Sequence, residues 1–531
     1  MTHLSTTKHP LPQHHTTSSF IFVYRMFLKH VLITALGEKG VGIGRLSDGK
    51  VILIRGGCIP GMKVHCEVIK KRKHHWEAKL LWIESWRDKP LDTLSHGGDT
   101  TIFRSPACSH CINPLLSTQA PEEHTVGCGG CLRQHLTYTA QIEIKNKLFL
   151  QTLGPLSNKI HTSTIGEILP APKEWGYRNK IEFSFGKYIV RQDHKSIEKH
   201  RQVGFHKQGQ FSKVINVNHC HIVEPAIHDV YTSLISLCQD SGLPVYDTKS
   251  NEGFFRHLVL RYGHHTGEIM AHLVINGSFL DEKTQKIREK TQKKLITWAK
   301  KSITTLCLTN NTGVADVVKG IDHTMRIMYG DGFITDKLFY GGLSVSFRIS
   351  PFTFFQTNTL GAEKLFSMIV DLIPTNYPVM LDLYCGGGSI GQYCLLAKKT
   401  AYVIGVEIVP EAVHDAKINA QTNQMDDRTL YVCGKVEDVL KTNETLKQYY
   451  EKTRLIIIDP PREGLHPSII PFLITHRQRY PDTCLIYVSC NPSTFVRDAQ
   501  LLCDGGRSLD TIKGLDLFPQ TYHYELVARF F

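Results

Sequence analysis

Long apolar runs are missing from this chain. No stretch reaches the ~18 consecutive apolar residues that a bilayer-spanning helix requires. Ser19-Phe20-Ile21-Phe22-Val23-Tyr24 is too short, and no small-residue cleavage site follows it. A membrane partner is therefore not expected, and the cytoplasm is the expected location. An acidic excess is missing as well. Lys and Arg number 62 against 49 Asp and Glu, so the net charge is +13 and the pI about 9.0. A balance this basic points to a polyanionic partner, nucleic acid before membrane surface. The 15 cysteines are clustered, which in a cytosolic chain points to metal binding or catalysis rather than disulfides.

Residues 1–26 are rich in His, Thr and Ser without a helical or strand period, and a disordered tail is expected there, with Met26 an alternative start. Residues 27–85 read as a small β-barrel. Val31–Ala35, Lys50–Ile54 and Lys63–Ile69 are strands, separated by glycine and Pro-Gly turns. Lys70-Lys71-Arg72-Lys73-His74-His75-Trp76 then sets a basic run beside an aromatic ring, a composition that suits phosphates and a base. The Gly-x-Gly-x-x-Arg, short strand, Pro-Gly-x-x-Val and basic run, in this order, resemble a TRAM domain, an OB-like RNA-binding module.

Cys108 and Cys111 are followed by Cys128-Gly129-Gly130-Cys131. Two Cys-x2-Cys pairs at this spacing can close a tetrahedral zinc site on Cys108, Cys111, Cys128 and Cys131. An iron–sulfur cluster also takes four thiolates, and Cys220 in Asn218-His219-Cys220-His221 is a candidate distant ligand. Thiolate spacing alone leaves both open. The region 86–345 is expected to hold this cysteine site and a mostly β middle part, with Tyr177–Phe185, Phe255–Arg261 and Glu268–Val274 alternating as half-buried strands and a Lys-rich helix over 281–300.

From about residue 346 strands alternate with helices, so a parallel sheet is expected. The strand Val379–Cys385 runs into Gly386-Gly387-Gly388-Ser389, and the next strand ends in Glu407. Strand, glycine loop, helix, strand and acid describe a nucleoside-cofactor site, in which glycines admit the ligand and the acid accepts from ribose hydroxyls. The loop is not G-x-G-x-x-G and offers no basic residue for a pyrophosphate. Two further buried strands end in Asp459-Pro460-Pro461-Arg462 and in Ser489-Cys490-Asn491-Pro492, at the edge where open α/β sheets bind ligands. Glu525, in the last strand region, could reach the same cleft.

The loop Leu381-Asp382-Leu383-Tyr384-Cys385-Gly386-Gly387-Gly388-Ser389 is similar to the cofactor motif of S-adenosylmethionine-dependent methyltransferases. Ser350–Asn358, Asp-Pro-Pro-Arg, Ser-Cys-Asn-Pro and Phe-Pro-x-Thr-x-His-x-Glu, in this order, resemble the RNA uracil-5 methyltransferases. The barrel, Cys-Gly-Gly-Cys and Asn218–Pro225 are similar to the iron–sulfur branch of that family, which acts on large-subunit ribosomal RNA. The resemblance implies a Rossmann-like methyltransferase domain over 346–531. It implies S-adenosylmethionine bound by Gln356, Tyr384, Ser389, Glu407 and Asp459, with Cys490 as nucleophile and Glu525 as general base. It further implies a 4Fe-4S cluster on Cys108, Cys128, Cys131 and Cys220. An insertion separates Cys111 from Cys128, and the Pro-Ala-Cys-Ser-His context favours Cys108 over Cys111. RNA cytosine-5 methyltransferases carry a second Cys near Asp-Pro-Pro-Arg; this chain has none, so uracil is the expected base. Transfer RNA is the alternative substrate, a non-catalytic RNA-binding protein the alternative class, and a monomer the expected state.

Overall fold

The computed structural model describes residues 26–37, 40–90, 102–109, 111, 115, 127–160, 165–192, 196–207, 210–277, 282–319 and 324–531. The tail expected over 1–26 lies outside them except for Met26. The chain divides into two compact units, residues 1–152 with 519–523, and residues 153–518 with 524–531.

The first unit is built on a barrel of β1 (Met26–Leu36), β2 (Gly42–Arg45), β3 (Val51–Arg55), β4 (Met62–Lys71), β5 (His75–Trp86) and the short β6 (Lys89–Pro90). The sheet order is β3-β2-β1-β4-β5-β6, and parallel pairing of β3 with β5 closes it. Val31, Ile33, Ile52, Ile54, Val64 and Ile83 fill the interior, as the alternation along each strand requires. The amphipathic α1 (Tyr138–Leu153) adds Ala140, Ile144 and Leu148 to the same core. The basic run falls at the β4–β5 turn, where Lys70 to His74 are exposed. Trp76 lies partly buried beneath it, with the Lys71 and Lys50 ammonium groups 4.5 and 5.5 Å from its ring centre.

The second unit opens with β7 (Ile165–Leu169), β8 (Lys180–Gln192), β9 (Ser196–Lys207), β10 (Gln210–Asn216), α2 (Ala226–Asp240), β11 (Phe255–Tyr262), β12 (Ile269–Ile275), α3 (Glu282–Ser302), β13 (Thr305–Asn310) and β14 (Thr324–Tyr329). Strands β8 to β14 form one sheet in the order β10-β9-β8-β11-β12-β13-β14; β11 and β12 pair as expected, but they are buried on both faces rather than half-buried, with Arg256, His257, Arg261 and His272 inside. The hairpin β15 (Ile334–Tyr340) and β16 (Leu343–Ile349) and helix α4 (Thr359–Leu372) follow.

The last sheet is the one the strand–helix alternation called for. It contains β17 (Tyr377–Leu383), α5 (Ser389–Leu396), β18 (Thr400–Glu407), α6 (Pro410–Thr422), β19 (Thr429–Cys433), α7 (Val436–Thr442), α8 (Glu444–Lys447), β20 (Thr453–Ile458), α9 (Ile469–Arg479), β21 (Cys484–Ser489), α10 (Pro492–Asp504), β22 (Leu509–Leu515) and β23 (Glu525–Phe530). Its order is β19-β18-β17-β20-β21-β23-β22-β7. Strands β19, β18, β17, β20 and β21 are parallel, and β23 inserts antiparallel between β21 and β22. The chain leaves β17 to one side and returns to its other side at β20, so the switch point lies between these strands. Met380, Leu455, Ile457, Ile486 and Val527 are fully buried here, which explains why these strands read as continuous apolar runs.

Asn358 joins this sheet to the segment before it. Its side-chain oxygen accepts from Gly361 N at 2.9 Å and caps α4, while its Nδ2 donates to Leu517 O at 2.9 Å. We expect Asn358→Ala to destabilise the second unit by about 1–2 kcal/mol, the usual cost of a lost cap, read as a lower denaturant midpoint.

Candidate active site

The C-terminal ends of the parallel strands bring the expected residues to one edge. Leu383 pairs with Val406 and with Ile458, so Tyr384, Glu407 and Asp459 follow the last residues of three adjacent strands or close them. Ser489 of β21 pairs with Leu526 of β23, and the next pair in that register is Cys490 and Glu525. Glu525, 35 residues away in sequence, is thereby set directly beside the thiol.

Backbone geometry shapes the glycine loop. Tyr384 takes a left-handed conformation, φ +65°, as the chain leaves β17, and both its N–H and that of Cys385 donate to Val406 O at 2.9 and 3.1 Å. A non-glycine residue in this region costs roughly 1–3 kcal/mol and collects at functional sites. Gly388 caps α5 at φ +78°, and a Cβ there would stand 2.5 Å from the Tyr431 hydroxyl oxygen. Gly386 N donates to Glu407 Oε2 at 3.1 Å and Val409 N to Glu407 Oε1 at 2.8 Å, fixing that carboxylate over the loop. Gln356 is held through its backbone, whose carbonyl accepts from Asn179 Nδ2 at 2.9 Å.

The electrostatics are those of crowded acids. Glu525 is buried, and burial together with the Asp459 charge pushes its carboxyl well above the ordinary range. Burial raises Asp459 to about 6. Cys490 is raised to about 11 by burial, then by Glu525 and Asp459, while the hydrogen-bonded Arg462 guanidinium acts in the opposite direction. Arg462 is anchored from the other motif: Asn491 Nδ2 and Thr494 Oγ1 donate to its carbonyl at 2.9 and 3.2 Å. The arrangement holds a protonated thiol, one cation and two acids around a single point.

Three features escaped the sequence reading. Asp382 is fully buried in β17; its Oδ2 accepts from Gly391 N at 3.0 Å, its Oδ1 has no partner, and burial, then Asp459 and Glu407, raise it to about 8. A carboxylate inside an apolar strand was the available signal. Arg462 had been read only as part of a motif. An open cleft of about 830 Å³ is lined by Tyr384, Ile408, Val436, Glu437, Pro461 and Leu465 among others, and Ile408 is 53% exposed. Cys490, Asp459 and Glu525 do not line this cleft; of the expected residues Tyr384 does.

The cysteine motif lies in the first unit. Cys108 N donates to Gln134 Oε1 at 3.0 Å, and Cys111 N donates to Cys108 O at 3.0 Å. Burial, then the neighbouring Cys108 and Cys128 sulfurs, raise the Cys111 thiol to about 12. Cys220 belongs to the second unit, in the turn after β10.

Two predictions follow from the crowded acids. Asp459→Asn removes a charge that raises the Cys490 thiol, and Arg462→Gln removes the one that lowers it. The midpoint of the Cys490 alkylation rate against pH should move down in the first and up in the second, read by peptide mass spectrometry. Asp382 has a folded pKa above its unfolded value, so its stabilising contribution is complete below about pH 4 and is lost as pH rises towards 8. Asp382→Asn should therefore raise the melting temperature of the cofactor-free protein more at pH 8 than at pH 5; a gain of ~2 kcal/mol amounts to roughly 4–8 °C for a domain of this size.

Comparison with known proteins agrees with this geometry. The family described as tRNA (Uracil-5-)-methyltransferase matches residues 297–528, and the TRAM domain matches residues 29–81. An uncharacterized RNA methyltransferase of Clostridium tetani is 31% identical over 490 residues, 91% of this chain and 92% of the relative. Another, of Caldanaerobacter subterraneus, is 30% identical over 94% of this chain and 97% of its own length. Among solved structures, the Pyrococcus abyssi tRNA (uracil-54, C5)-methyltransferase in complex with S-adenosyl-L-homocysteine is 26% identical and superposes with a TM-score of 0.62, covering 94% of this chain and 99% of that one. No helix among the described residues is long and apolar enough to cross a membrane. A parallel sheet with a glycine loop and Glu407 at its switch point, preceded by a TRAM barrel and matched along nearly its whole length by RNA methyltransferases, marks this chain as a member of the S-adenosylmethionine-dependent RNA uracil-5 methyltransferase family.

Proposed function

We propose that the chain methylates carbon 5 of a uridine in large-subunit ribosomal RNA through a covalent adduct on Cys490. The observation that carries this reading is that Glu525, Asp459 and Arg462 all act on the Cys490 thiol, which follows the last pair of the β21–β23 ladder, Ser489 with Leu526.

Carbon 5 of uracil is a weak nucleophile. Addition of a thiolate at carbon 6 makes the ring an enolate and carbon 5 nucleophilic, which splits one hard step into easier ones. In this mechanism Cys490 gives its proton to solvent water, its sulfur bonds to carbon 6, and the carbon 5–carbon 6 π pair moves into the ring as the enolate. The Arg462 guanidinium favours the thiolate, and Asp459 holds the base edge. S-adenosylmethionine, when bound, supplies an electrophilic methyl group. Glu525 then takes the proton from carbon 5, and the Cys490–carbon 6 bond breaks to restore the ring. A base whose carboxyl is pushed well above its ordinary range binds that proton strongly. The target uridine must leave its stack to present carbon 6.

The residues fit the cofactor. The Glu407 carboxylate suits ribose hydroxyls, Tyr384 and Ser389 flank the loop, and Gln356 completes the proposed set. The unpartnered buried Asp382 Oδ1 is the partner that a cationic ligand would satisfy. Ile408 and Val436 give the cleft an apolar wall for an adenine, with Glu437 beside it.

A 4Fe-4S cluster on Cys108, Cys128, Cys131 and Cys220 belongs to the same proposal, zinc on Cys108, Cys111, Cys128 and Cys131 being the alternative. The Cys108 and Cys128 sulfurs act on the Cys111 thiol, and an all-thiolate donor set suits either group chemically. Its role would be to fold the loop that carries Leu132 and Arg133. Both backbone N–H groups donate to Gln520 O, at 3.1 and 3.2 Å, and Lys145 Nζ donates to His523 O at 2.8 Å. Residues 519–523 thus anchor to the cysteine-bearing unit, two residues before Glu525.

The TRAM barrel and its exposed basic turn support an RNA substrate, with phosphates as the partners of Lys70 to Lys73. The TRAM barrel and the cysteine cluster favour ribosomal RNA; the solved Pyrococcus relative, named as a tRNA enzyme, favours transfer RNA. In this proposal the enzyme acts as a monomer in the cytoplasm.

The test incubates anaerobically purified protein with labelled S-adenosylmethionine and undermodified ribosomal RNA, with transfer RNA in parallel. Label should appear in 5-methyluridine of ribosomal RNA and vanish in Cys490→Ala. Label in transfer RNA alone would keep the chemistry and overturn the substrate. Glu525→Gln, which cannot take the carbon 5 proton, should lose turnover by at least about a hundredfold and accumulate a denaturant-resistant protein–RNA adduct.

A further inference from the structure

We propose that the TRAM barrel carries a site for a divalent transition metal, zinc by its donor set, on His30, His65 and Glu84. The three side chains come from the adjacent strands β1, β4 and β5, and one ligand atom of each lies within 4.8 Å of the other two. Glu84 Oε2 sits 2.6 Å from His30 Nδ1 and 3.1 Å from His65 Nε2. A tetrahedral ion with bonds of about 2.0–2.1 Å sets its ligands ~3.3 Å apart; the Glu84 oxygen lies near that spacing from both rings, and the ring nitrogens lie within 4.8 Å of each other. Two imidazoles and a carboxylate are a zinc donor set, with a fourth position left for water.

The backbone is built to make this convergence. On β1, Leu28 pairs with Cys66 and Val31 with Val64, so Lys29 and His30 together face His65. On β5, Ser85 pairs with Lys63 and Ile83 with Val64, so Glu84 is an extra residue with no partner on β4. Two bulges therefore flank His65, one on each neighbouring strand. A bulge re-aims a side chain that regular pleating would send elsewhere. At the first, His30 takes a left-handed conformation, φ +59°, which is costly for a residue with a Cβ. A regular ladder would need neither device.

The central ligand is also held and kept in the right form. His65 is 8% exposed and stacks on Trp82, with ring centres 4.3 Å apart and planes 16° from parallel. Its Nδ1 is buried without a hydrogen-bond partner. Burial is the largest influence on its protonation and favours the neutral ring, the form that binds a metal. Burial opposes ionisation of Glu84, but its hydrogen bonds and charges from His30 and His65 prevail and keep it a carboxylate. Both outer ligands keep partial exposure, with side-chain values of 42% for His30 and 34% for Glu84, which gives an ion a route in. A bound ion would tie three strands of a small barrel together, where a modest core gains most from a staple.

The test titrates cobalt(II), then zinc(II), into the full-length protein, wild type and the variants His65→Gln, Glu84→Gln and His30→Ala. The cysteine motif is itself a proposed metal site, and cobalt tells the two apart: a thiolate site shows a sulfur-to-cobalt charge-transfer band, and a His–His–Glu site shows visible d–d bands without it. Beyond any cobalt the cysteine motif takes, we expect one further cobalt per chain that adds d–d bands without charge-transfer intensity and is displaced by zinc, and zinc should raise the wild-type melting temperature. Each variant should weaken this binding by at least about tenfold, since even outer-shell partners of a metal are worth that much. His30 is at the exposed end of the site, so His30→Ala keeps the barrel folded if the central variants do not. Cobalt bound solely with the charge-transfer band, or an affinity unchanged in His30→Ala, would overturn the proposal.

Discussion

Three carboxyl groups, Asp382, Asp459 and Glu525, share one water-poor edge of a parallel sheet with a thiol and a single guanidinium. Each is raised by burial, and Asp459 raises both of the others. Like charges this close cannot all ionise, so the protons are distributed by the surroundings rather than by each group's intrinsic preference. The fold accepts this cost because four parallel strands end together, and the antiparallel β23 delivers Glu525 opposite Cys490 in an unbroken register. Chemistry that needs a proton to leave a thiol and another to be taken from carbon is served by such an arrangement. Burial gives Glu525 a strong hold on a proton, Asp459 at about 6 is still largely a carboxylate at neutral pH, and the one cation stands at the sulfur.

Anchoring follows the same economy. The Asp-Pro-Pro-Arg turn is tied down by Asn491 and Thr494 from the Ser-Cys-Asn-Pro motif, and Leu465 N donates to Asp498 Oδ2 at 2.8 Å, an oxygen that Tyr487 OH also reaches at 2.8 Å. These hydrogen bonds tie the two motifs to each other. Residues 519–523, which precede Glu525 in the chain, bond within the first unit.

The sequence made local features legible. The glycine loop, the spacing to Glu407, and the strand-end positions of Asp459 and Cys490 could be read because each depends on a few consecutive residues. The strands of the barrel and of the last sheet were legible from alternation and from apolar runs. What escaped reading depends on pairing between distant segments. The Cys490–Glu525 register, the orphaned oxygen of Asp382 and the exposed apolar wall at Ile408 become visible when the strands are aligned. The His30–His65–Glu84 cluster is a sharper case. Regular pairing does not predict it, because two bulges shift the register at the positions that matter.

The central claim is that Cys490 bonds to carbon 6 of a uridine while Glu525 waits for the proton on carbon 5. RNA substituted with 5-fluorouridine tests it most directly, since fluorine at carbon 5 leaves no proton for the base to remove and the adduct cannot break down. With S-adenosylmethionine present, digestion and mass spectrometry should find a methylated fluorouridine nucleotide attached to the peptide containing Cys490. An adduct on another cysteine such as Cys385 or Cys433, or no adduct while methyl transfer proceeds on normal RNA, would contradict the account.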